Sequence, residues 1–324
     1  MLRGPSPLLP ALRRLGAAAM GLALSCTAWA APFAYVTNQG SNDVTVVDLA
    51  NHQVVATVAV GKAPAGVAVS PAAGKAFVTN PESKNLTVID LATNRVLDTV
   101  PAGDGPVGVA AAPDGSRVYV ADWFNNRLLV FDGRTHTRLA AVPVGAASAG
   151  VAVHPSGREI YVANRDDNNI EVVNAERNAG VARIPAGSHP FAVTVSPDGS
   201  RLYAVNVWSH DVTVIDTRAR RVVATVPVGN TPYGAAVSAL GDRVFVTNQH
   251  ADTVSVIDAA ANRVIATLPV GGYPEGIAVH GGRVYVVNWM DDNLLVLDAA
   301  SGRTVATVDT GRNSRGFGQF IGSP

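Results

Sequence analysis

Hydrophobic residues along this chain come in short runs of four to six, separated by turns rich in Gly, Asn, Asp and Pro. One type of run, an aromatic residue inside an apolar stretch that closes on Asn or Asp, occurs seven times. Its aromatic residues follow one another at steps of 42, 42, 42, 42, 42 and 40 residues. They are Tyr35, Phe77, Tyr119, Tyr161, Tyr203, Phe245 and Tyr285. A fixed period of this length indicates a repeat architecture.

Each repeat holds four short runs of β type. A Gly-Val-Ala-Val segment such as residues 61–69 precedes the aromatic run, and runs such as residues 86–90 and 222–229 follow it. Turn residues separate these runs at intervals of about 8 to 12 residues, which is typical of antiparallel strands. Four strands in about 42 residues make one propeller blade. The sequence therefore predicts an all-β fold, a seven-bladed β-propeller of four-stranded blades, over residues 31–324.

The two ends of the chain are predicted to complete one blade together. The repeat region opens on a second strand, residues 34–38, and an additional first-type run stands at the far end, residues 314–321. If that terminal run pairs beside residues 34–38, the ring has no open edge inside the first blade. Phe317, Phe320 and Ile321 are then expected to be buried against neighbouring blades.

Residues 1–30 are predicted to be a secretory signal peptide cleaved after Ala30. Three arginines, at positions 3, 13 and 14, stand around and before an apolar run over residues 15–27, and Ala28-Trp29-Ala30 closes it. About 13 apolar residues are too few to span a bilayer, which needs about 20. The leader predicts a periplasmic or secreted protein; a lipid anchor at Cys26 is disfavoured, and export by the Sec or the twin-arginine route stays open. Cys26 is the only cysteine, so the cleaved chain contains neither a disulfide nor a cysteine metal site.

Composition and charge narrow the class of protein. Hydrophobic residues make up 48% of the chain and charged residues 15%, which disfavours disorder and coiled coil. Lys plus Arg and Asp plus Glu are equal at 25 each, and since the leader holds three arginines and no acid, the cleaved chain carries a net charge of −3. Such a charge argues against strong long-range attraction of a polyanion.

The repeat resembles that of a known family. The runs Ala-Tyr-Val-Thr-Asn, Ala-Phe-Val-Thr-Asn and Val-Phe-Val-Thr-Asn, with strings such as Thr-Asn-Arg-Val-Leu-Asp-Thr-Val at residues 93–100, resemble the YVTN-type, or YncE-like, bacterial seven-bladed propellers. The resemblance covers the whole chain after the leader. It implies the fold and a scaffold whose relatives include periplasmic binding proteins, surface-layer proteins, lactonase-like enzymes and electron-transfer subunits. A fold shared by such different proteins does not specify an activity.

Residues shared by all seven repeats are best explained by turns and packing, so a site is sought where one repeat departs from the others. The Asn or Asp that closes each aromatic run is therefore expected to bond within its own turn. The loop that enters each first strand and the loop between second and third strands are expected on one face of the ring. Four of the histidines, His52, His136, His154 and His280, are expected in solvated turns of the opposite face.

The mouth of the central channel is predicted to be lopsided. The residue after each loop proline or its equivalent should ring the mouth; these residues are Ala65, Val107, Ala149, Phe191, Tyr233, Glu275 and Arg315. Aromatic and polar residues from adjoining loops complete the candidate ligand-binding set, namely Trp123, Arg165, His189, Trp208, His210, His250, Tyr273 and Trp289, with Phe124 and Met290 beside them. Exposed aromatic side chains interleaved with a few polar groups are typical of a recognition surface. Coverage of gaps between blades is the structural alternative for each ring.

Two arrangements in this set bear on chemistry. His189, His210 and His250 come from neighbouring blades and are weak candidates for metal ligands, because no closely spaced histidine pair supports them. Glu275 and Arg315 are expected to form an ion pair, with a general-acid or substrate-binding role as the alternative. The sequence has no Gly-x-Ser-x-Gly elbow, phosphate loop or haem attachment motif.

The sequence therefore predicts an exported, monomeric binding or scaffold protein, without a cofactor, that recognises a ligand at the channel-mouth face. A peptide, a glycan and a protein partner are the ligand classes considered, and single-stranded nucleic acid is a weaker one. The alternative is a periplasmic hydrolase or lyase, lactonase-like, with an acid/base or metal site at the same mouth.

Overall fold

The computed structural model describes residues 1, 2, 4 and 32–323. Cys26, the Arg13-Arg14 pair and the predicted cleavage point after Ala30 lie outside the described residues. Among the residues it describes, no helix is long and apolar enough to cross a membrane.

Seven four-stranded antiparallel sheets follow one another along the chain, which confirms the predicted seven-bladed propeller. The first three blades contain β1 (Phe33–Asn38), β2 (Asp43–Asp48), β3 (Gln53–Ala59); β4 (Val67–Ser70), β5 (Lys75–Asn80), β6 (Asn85–Asp90), β7 (Arg95–Pro101); and β8 (Pro106–Ala111), β9 (Arg117–Asp122), β10 (Arg127–Asp132), β11 (Arg138–Pro143). The next two contain β12 (Ser148–Val153), β13 (Glu159–Asn164), β14 (Asn169–Asn174), β15 (Ala179–Pro185); and β16 (Pro190–Val195), β17 (Arg201–Asn206), β18 (Asp211–Asp216), β19 (Arg221–Pro227). The last two contain β20 (Pro232–Val237), β21 (Arg243–Asn248), β22 (Thr253–Asp258), β23 (Arg263–Pro269); and β24 (Pro274–His280), β25 (Arg283–Asn288), β26 (Asn293–Asp298), β27 (Thr304–Asp309). A short strand, β28 (Ile321–Gly322), adds to the first blade, and three single-turn 3-10 helices occupy loops at Pro71–Ala73, Trp123–Asn125 and Gln249–Ala251.

Burial explains why the middle strands are continuously apolar. The second and third strands of a blade, such as β5 and β6, are buried along their centres, whereas the outer strand β7 is exposed at most positions. Both faces of a middle strand are covered, because each blade packs between two others. The repeat's aromatic residue lies in the second strand, and the hydroxyl of Tyr35 donates to Asn94 Oδ1 of the next blade at 2.8 Å.

Glycine and threonine bring neighbouring blades into close contact near the channel. A Cβ on Gly66 would lie 2.2 Å from the carbonyl oxygen of Val107 in the next blade. Thr79 Oγ1 accepts from the Gly66 amide at 2.8 Å and donates to that Val107 carbonyl at 2.6 Å. Thr247 repeats this pattern between the sixth and seventh blades. The Thr in Val-Thr-Asn therefore joins adjacent blades by a buried hydrogen bond.

The C-terminal segment closes the ring, as expected. In β28, Ile321 and Gly322 pair with Ala34 and Phe33 of β1, and Ser314 forms a separate bridge with Asn38. Phe320 between them is fully buried. The first blade thus receives its innermost strand from the end of the chain, which leaves no open edge there.

The prediction of one continuous strand over residues 314–321 was wrong. Phe317 leaves the first blade and forms a parallel bridge with Gly66 of the second, and the Val67 and Val69 amides donate to the Phe317 and Gln319 carbonyls at 2.8 Å. Gly316 and Gly318 permit this detour, because they have φ of 64° and 116°, which other residues rarely adopt. The segment therefore joins two blades and carries Phe317 toward the channel.

Candidate functional site

The loops divide between two faces as expected. We call mouth face the side formed by residues 39–42, 60–66 and their equivalents in the other blades, that is, the loops between second and third strands and those that enter each inner strand. Backbone hydrogen bonds join the two kinds of loop; the Gln249 amide donates to Thr231 O at 2.9 Å and the Val207 amide to His189 O at 2.9 Å. Every sequence-predicted site residue lies on this face or at its channel opening.

The Asn residues that close the aromatic runs do not form a ligand collar. Asn38 is fully buried, and its amide donates to Asp43 Oδ1 at 2.6 Å and to Thr45 Oγ1 at 2.8 Å. Asn206 makes the equivalent bonds to Asp211 and Thr213. At these two positions the partners are side chains at the start of the third strand, whereas Asn80 also donates to the Val78 and Asn85 carbonyls of its own hairpin, as expected. The role is structural.

A cluster of aromatic rings fills the channel at the mouth. The Phe191 ring lies 4.6 Å from the Tyr233 ring and 5.0 Å from the Phe317 ring, centroid to centroid, and Trp123 lies 6.1 Å from Phe191. Tyr233 and Phe317 are buried. The C-terminal segment thus closes the channel with a side chain of its own. Sequence reasoning predicted that Phe317 is buried but not that it lies in the channel, although Gly316 and Gly318 signalled an irregular strand.

Glu275 and Arg315 form the expected ion pair beside this cluster. Arg315 Nε donates to Glu275 Oε2 at 2.6 Å and its Nη2 to Oε1 at 3.3 Å, while Gln249 donates to Oε1 at 3.0 Å. Arg315 Nη2 also donates to the Tyr233 hydroxyl at 2.7 Å. Burial raises the pKa of Glu275, and the adjacent guanidinium opposes that rise. Both carboxylate oxygens have partners within the protein, so the geometry favours a structural ion pair over a general acid.

A second group of rings lies outside the channel opening, over the fourth and fifth blades. The Trp208 indole stacks on the His189 ring at 3.5 Å with 30° between the planes. Arg165 Cζ lies 5.5 Å from the Trp123 ring and 5.6 Å from the Trp208 ring, and Arg165 also donates to Asp166 Oδ1 at 2.7 Å. Burial, and then the Arg165 charge, lower the pKa of His189, and the Asp166 charge opposes that shift.

A third group lies over the sixth and seventh blades. The Tyr273 ring lies 5.4 Å from the His250 ring and 5.6 Å from the Trp289 ring. Trp289 Nε1 donates to Gln39 Oε1 of the first blade at 3.3 Å. Burial raises the pKa of Tyr273. Trp289 and Tyr273 are half-buried, so these rings cover the joints between blades as well as facing solvent.

One loop position of the mouth face carries large exposed apolar side chains in alternate blades. Phe124 is 72% exposed, Trp208 61% and Met290 63%. The equivalent residues of the other blades are Gly40, Glu82, Asp166 and His250. The other blades fold without a large apolar side chain at this position. Phe124, Trp208 and Met290 are therefore the strongest candidates for contact with a ligand.

His210 has a structural role that the sequence did not reveal. Its φ is 55°, and its Nδ1 accepts a hydrogen bond from the Thr231 amide at 3.1 Å. The equivalent bond in other blades is accepted by a side-chain oxygen, from Asn42, Asn126, Asn168, Asp252 or Asp292. His210 therefore takes the place of an Asn or Asp that ties two loops together.

The three candidate metal ligands contact other side chains or backbone groups, and two of them, His210 and His250, share Thr231 as their partner. His189 stacks on Trp208, His210 bonds Thr231, and His250 Nδ1 lies 3.0 Å from Thr231 Oγ1. Within the part of the chain that the structure describes, no three His, Cys, Asp or Glu side chains are arranged to hold a metal ion.

One histidine of the opposite face differs from expectation. His136 was expected to be solvated, but its side chain is only 9% exposed. Its Nδ1 lies 2.9 Å from Asp98 Oδ2 of the second blade, and its ring packs edge-on against Phe77 at 6.4 Å. This hydrogen bond lowers the pKa of Asp98. The turn that bears His136 folds against the neighbouring blade, which its sequence did not indicate.

Comparison with known proteins identifies the repeat. The family model described as a YNCE-like beta-propeller matches residues 152–238, which run from the fourth blade to the sixth. None of the curated proteins compared with the chain matches it.

Solved structures share the fold at low sequence identity. Hydrazine synthase of Kuenenia stuttgartiensis superposes with a TM-score of 0.76 at 22% identity, over 82% of this chain and 92% of that one. A functionally unknown protein from Desulfotomaculum acetoxidans has a TM-score of 0.76 at 17% identity, over 90% of this chain and 98% of that one. The dihydro-heme d1 dehydrogenase NirN, in complex with DHE, has a TM-score of 0.66 at 17% identity, over 90% of this chain and 75% of that one. Identities this low establish the fold and leave the activity to the site.

Proposed function

We propose that this seven-bladed propeller, part of which matches the YNCE-like beta-propeller model, is a binding protein that recognises a ligand or partner on the mouth face, without catalysis. The observation that carries the proposal is the exposed Trp208, held on a rigid loop with Phe124 and Met290 at the equivalent positions of alternate blades. Aromatic anchors dominate the binding energy of recognition surfaces.

The ligand rests on the face and does not enter the channel. Phe191, Tyr233 and Phe317 occupy the opening, and Arg315 with Glu275 holds the C-terminal segment over it. A surface site on loops held by a closed ring of sheets is preorganised, which reduces the entropy lost on binding. This arrangement suits an extended ligand that crosses several loops.

Catalysis has less support from the geometry. The carboxylate of Glu275, the candidate acid, accepts hydrogen bonds from Arg315 and Gln249 at both oxygens. Each of the candidate histidines contacts a residue of an adjoining loop, His189 with Trp208 and both His210 and His250 with Thr231. The hydrolase or lyase alternative therefore gains no support from Glu275, the predicted acid.

The cellular setting is part of the proposal. The leader pattern of residues 1–30 supports export and cleavage after Ala30, which would place the mouth face in the periplasm or outside the cell. Mass spectrometry of the protein recovered from a periplasmic extract tests this; a chain that keeps its leader and stays in the cytosol would contradict it.

Binding is tested with a panel of soluble peptides, glycans and oligonucleotides, and the change in tryptophan fluorescence of the full chain is followed. We expect Trp208→Ala to weaken any ligand found at least fivefold, which corresponds to about 1 kcal/mol. Leu240→Ala is the matched control, because Leu240 is 90% exposed on the opposite face. If both substitutions weakened binding equally, or if neither weakened it, the binding site would lie elsewhere.

A further inference from the structure

The charge of the mouth face is concentrated on the same side as its aromatic residues. Loops of the fourth to seventh blades on this face carry one basic residue, Arg165, and five acids, Asp166, Asp167, Asp252, Asp291 and Asp292. With histidines counted as neutral, the formal charge of that half is −4. The equivalent loops of the first three blades, with Lys62, Lys84 and Arg312 against Glu82 and Asp104, are slightly positive.

Most of these aspartates keep their charge available to a partner. Within residues 32–323, only Asp166 of the five forms an ion pair with a basic side chain, at 2.7 Å from Arg165. Asp252, Asp291 and Asp292 accept hydrogen bonds from the Tyr273, Gly272 and Asn313 amides, which orient their carboxylates but leave their charge uncompensated. Asp166, Asp167, Asp252 and Asp291 are exposed.

The exposed aromatic rings, like the aspartates, attract positively charged groups. The face of Trp208 is electron-rich, and such faces attract ammonium and guanidinium groups. Arg165 Cζ lies 5.5 Å from the Trp123 ring and 5.6 Å from the Trp208 ring, so a guanidinium is already accommodated beside both indoles. An apolar surface bordered by uncompensated carboxylates is complementary to a segment that combines basic and apolar side chains.

We propose that the mouth face over the fourth to seventh blades docks a basic polypeptide segment of a partner protein, with lysine or arginine side chains against the aspartates and apolar side chains on Trp208 and Met290. This inference rests on the proposed function and specifies its ligand. The exposed side chains stand on alternate blades, so the segment is extended and crosses the loop of the sixth blade between them. A polyanion would meet repulsion along the whole path.

The test uses the full chain and three synthetic twelve-residue peptides that alternate leucine with lysine, glutamate or serine, measured by isothermal titration calorimetry. We expect the lysine peptide to bind at least tenfold more tightly than the other two and to weaken as salt rises. The triple variant Asp252→Asn/Asp291→Asn/Asp292→Asn should lose at least fivefold in affinity for the lysine peptide. Asn occupies the position equivalent to Asp252 and Asp292 in three other blades, so this variant should fold.

Asp242→Asn/Glu176→Gln is the control for charge removed from the opposite face, and it should bind like the unchanged protein. The glutamate peptide, the serine peptide or an oligonucleotide could bind more tightly than the lysine peptide. If Trp208→Ala abolished that binding, the basic-segment inference would be overturned, while the proposed site would stand. Peptide binding that is indifferent to Trp208→Ala would overturn both, because the face itself would then not be the site.

Discussion

The Arg315 guanidinium donates two hydrogen bonds to the Glu275 carboxylate, of 2.6 and 3.3 Å, and so joins the C-terminal segment to the seventh blade. Glu275 is only 3% exposed and Arg315 about a fifth. Such a pair offsets its cost of desolvation only while both partners are present. The ion pair therefore links the C-terminal segment, which closes the ring, to the aromatic cluster at the channel mouth, because Arg315 also donates to the Tyr233 hydroxyl.

Glu275→Gln is expected to destabilise the protein by about 3 kcal/mol, because it leaves the Arg315 charge without its partner. Arg315→Met should cost a similar amount for the converse reason. The double variant Glu275→Gln/Arg315→Met should cost clearly less than the two singles together, since no unpaired charge remains. Urea unfolding of the four proteins gives the coupling energy; strictly additive losses would mean that the two groups do not stabilise each other.

Removal of residues 312–324 should shift unfolding to distinctly lower denaturant. The truncation exposes β1 as an edge and removes Phe317, Phe320 and Ile321, which contribute roughly 1.5 to 3 kcal/mol each through apolar burial. Removal of residues 323 and 324 alone is the control, because β28 then stays in place. If the long truncation unfolds at the same urea concentration as the control, the C-terminal segment does not hold the ring closed.

His210→Asn is expected to leave the free energy of unfolding within about 0.5 kcal/mol of the original, because Asn fills the equivalent role in three other blades. His210→Val should cost about 1 to 3 kcal/mol, since a β-branched residue is strained at a φ of 55° and cannot accept from the Thr231 amide. Thermal and urea denaturation measure both. An Asn variant as unstable as the Val variant would give the imidazole a role beyond this hydrogen bond.

The pH dependence of stability should include a contribution from Asp198. Hydrogen bonds from Ser196 and Ser200 lower the pKa of its carboxyl to about 2 in the folded protein, against a usual value near 3.8. A carboxyl whose folded pKa is depressed stabilises the fold above its unfolded pKa, and that stability is lost as pH falls from about 4 toward 2. Solvent screening of this exposed turn limits the contribution to about 1 kcal/mol at most.

Asp198→Asn should therefore flatten the loss of stability between pH 4 and pH 2, as measured by urea midpoints across that range. Leu240→Ala, at the equivalent turn of the sixth blade, changes no carboxyl and should keep the original slope. An unchanged slope in the Asn variant would assign the acid sensitivity to other carboxylates.

The period of the hydrophobic pattern was enough to predict seven blades, four strands in each and closure by both chain ends. It sufficed because each repeat buries its second and third strands against neighbours of similar sequence, so local pattern and global packing agree. The same logic located the mouth face and the residues that depart from the repeat, such as Trp208, and paired Glu275 with Arg315. The side-chain types of these residues, and their positions in the repeat, were enough for those predictions.

Only the tertiary structure decided how those departures divide between scaffold and surface. Phe317 lies far from Phe191 and Tyr233 in sequence and reaches them because two glycines carry the C-terminal segment across the channel. His210 replaces a loop Asn, and His136 is buried against the preceding blade, because each meets a partner some 20 to 40 residues away. Sequence periodicity records what each blade requires of its neighbours on average, whereas an individual side chain is placed by the particular backbone that the closed ring brings to it.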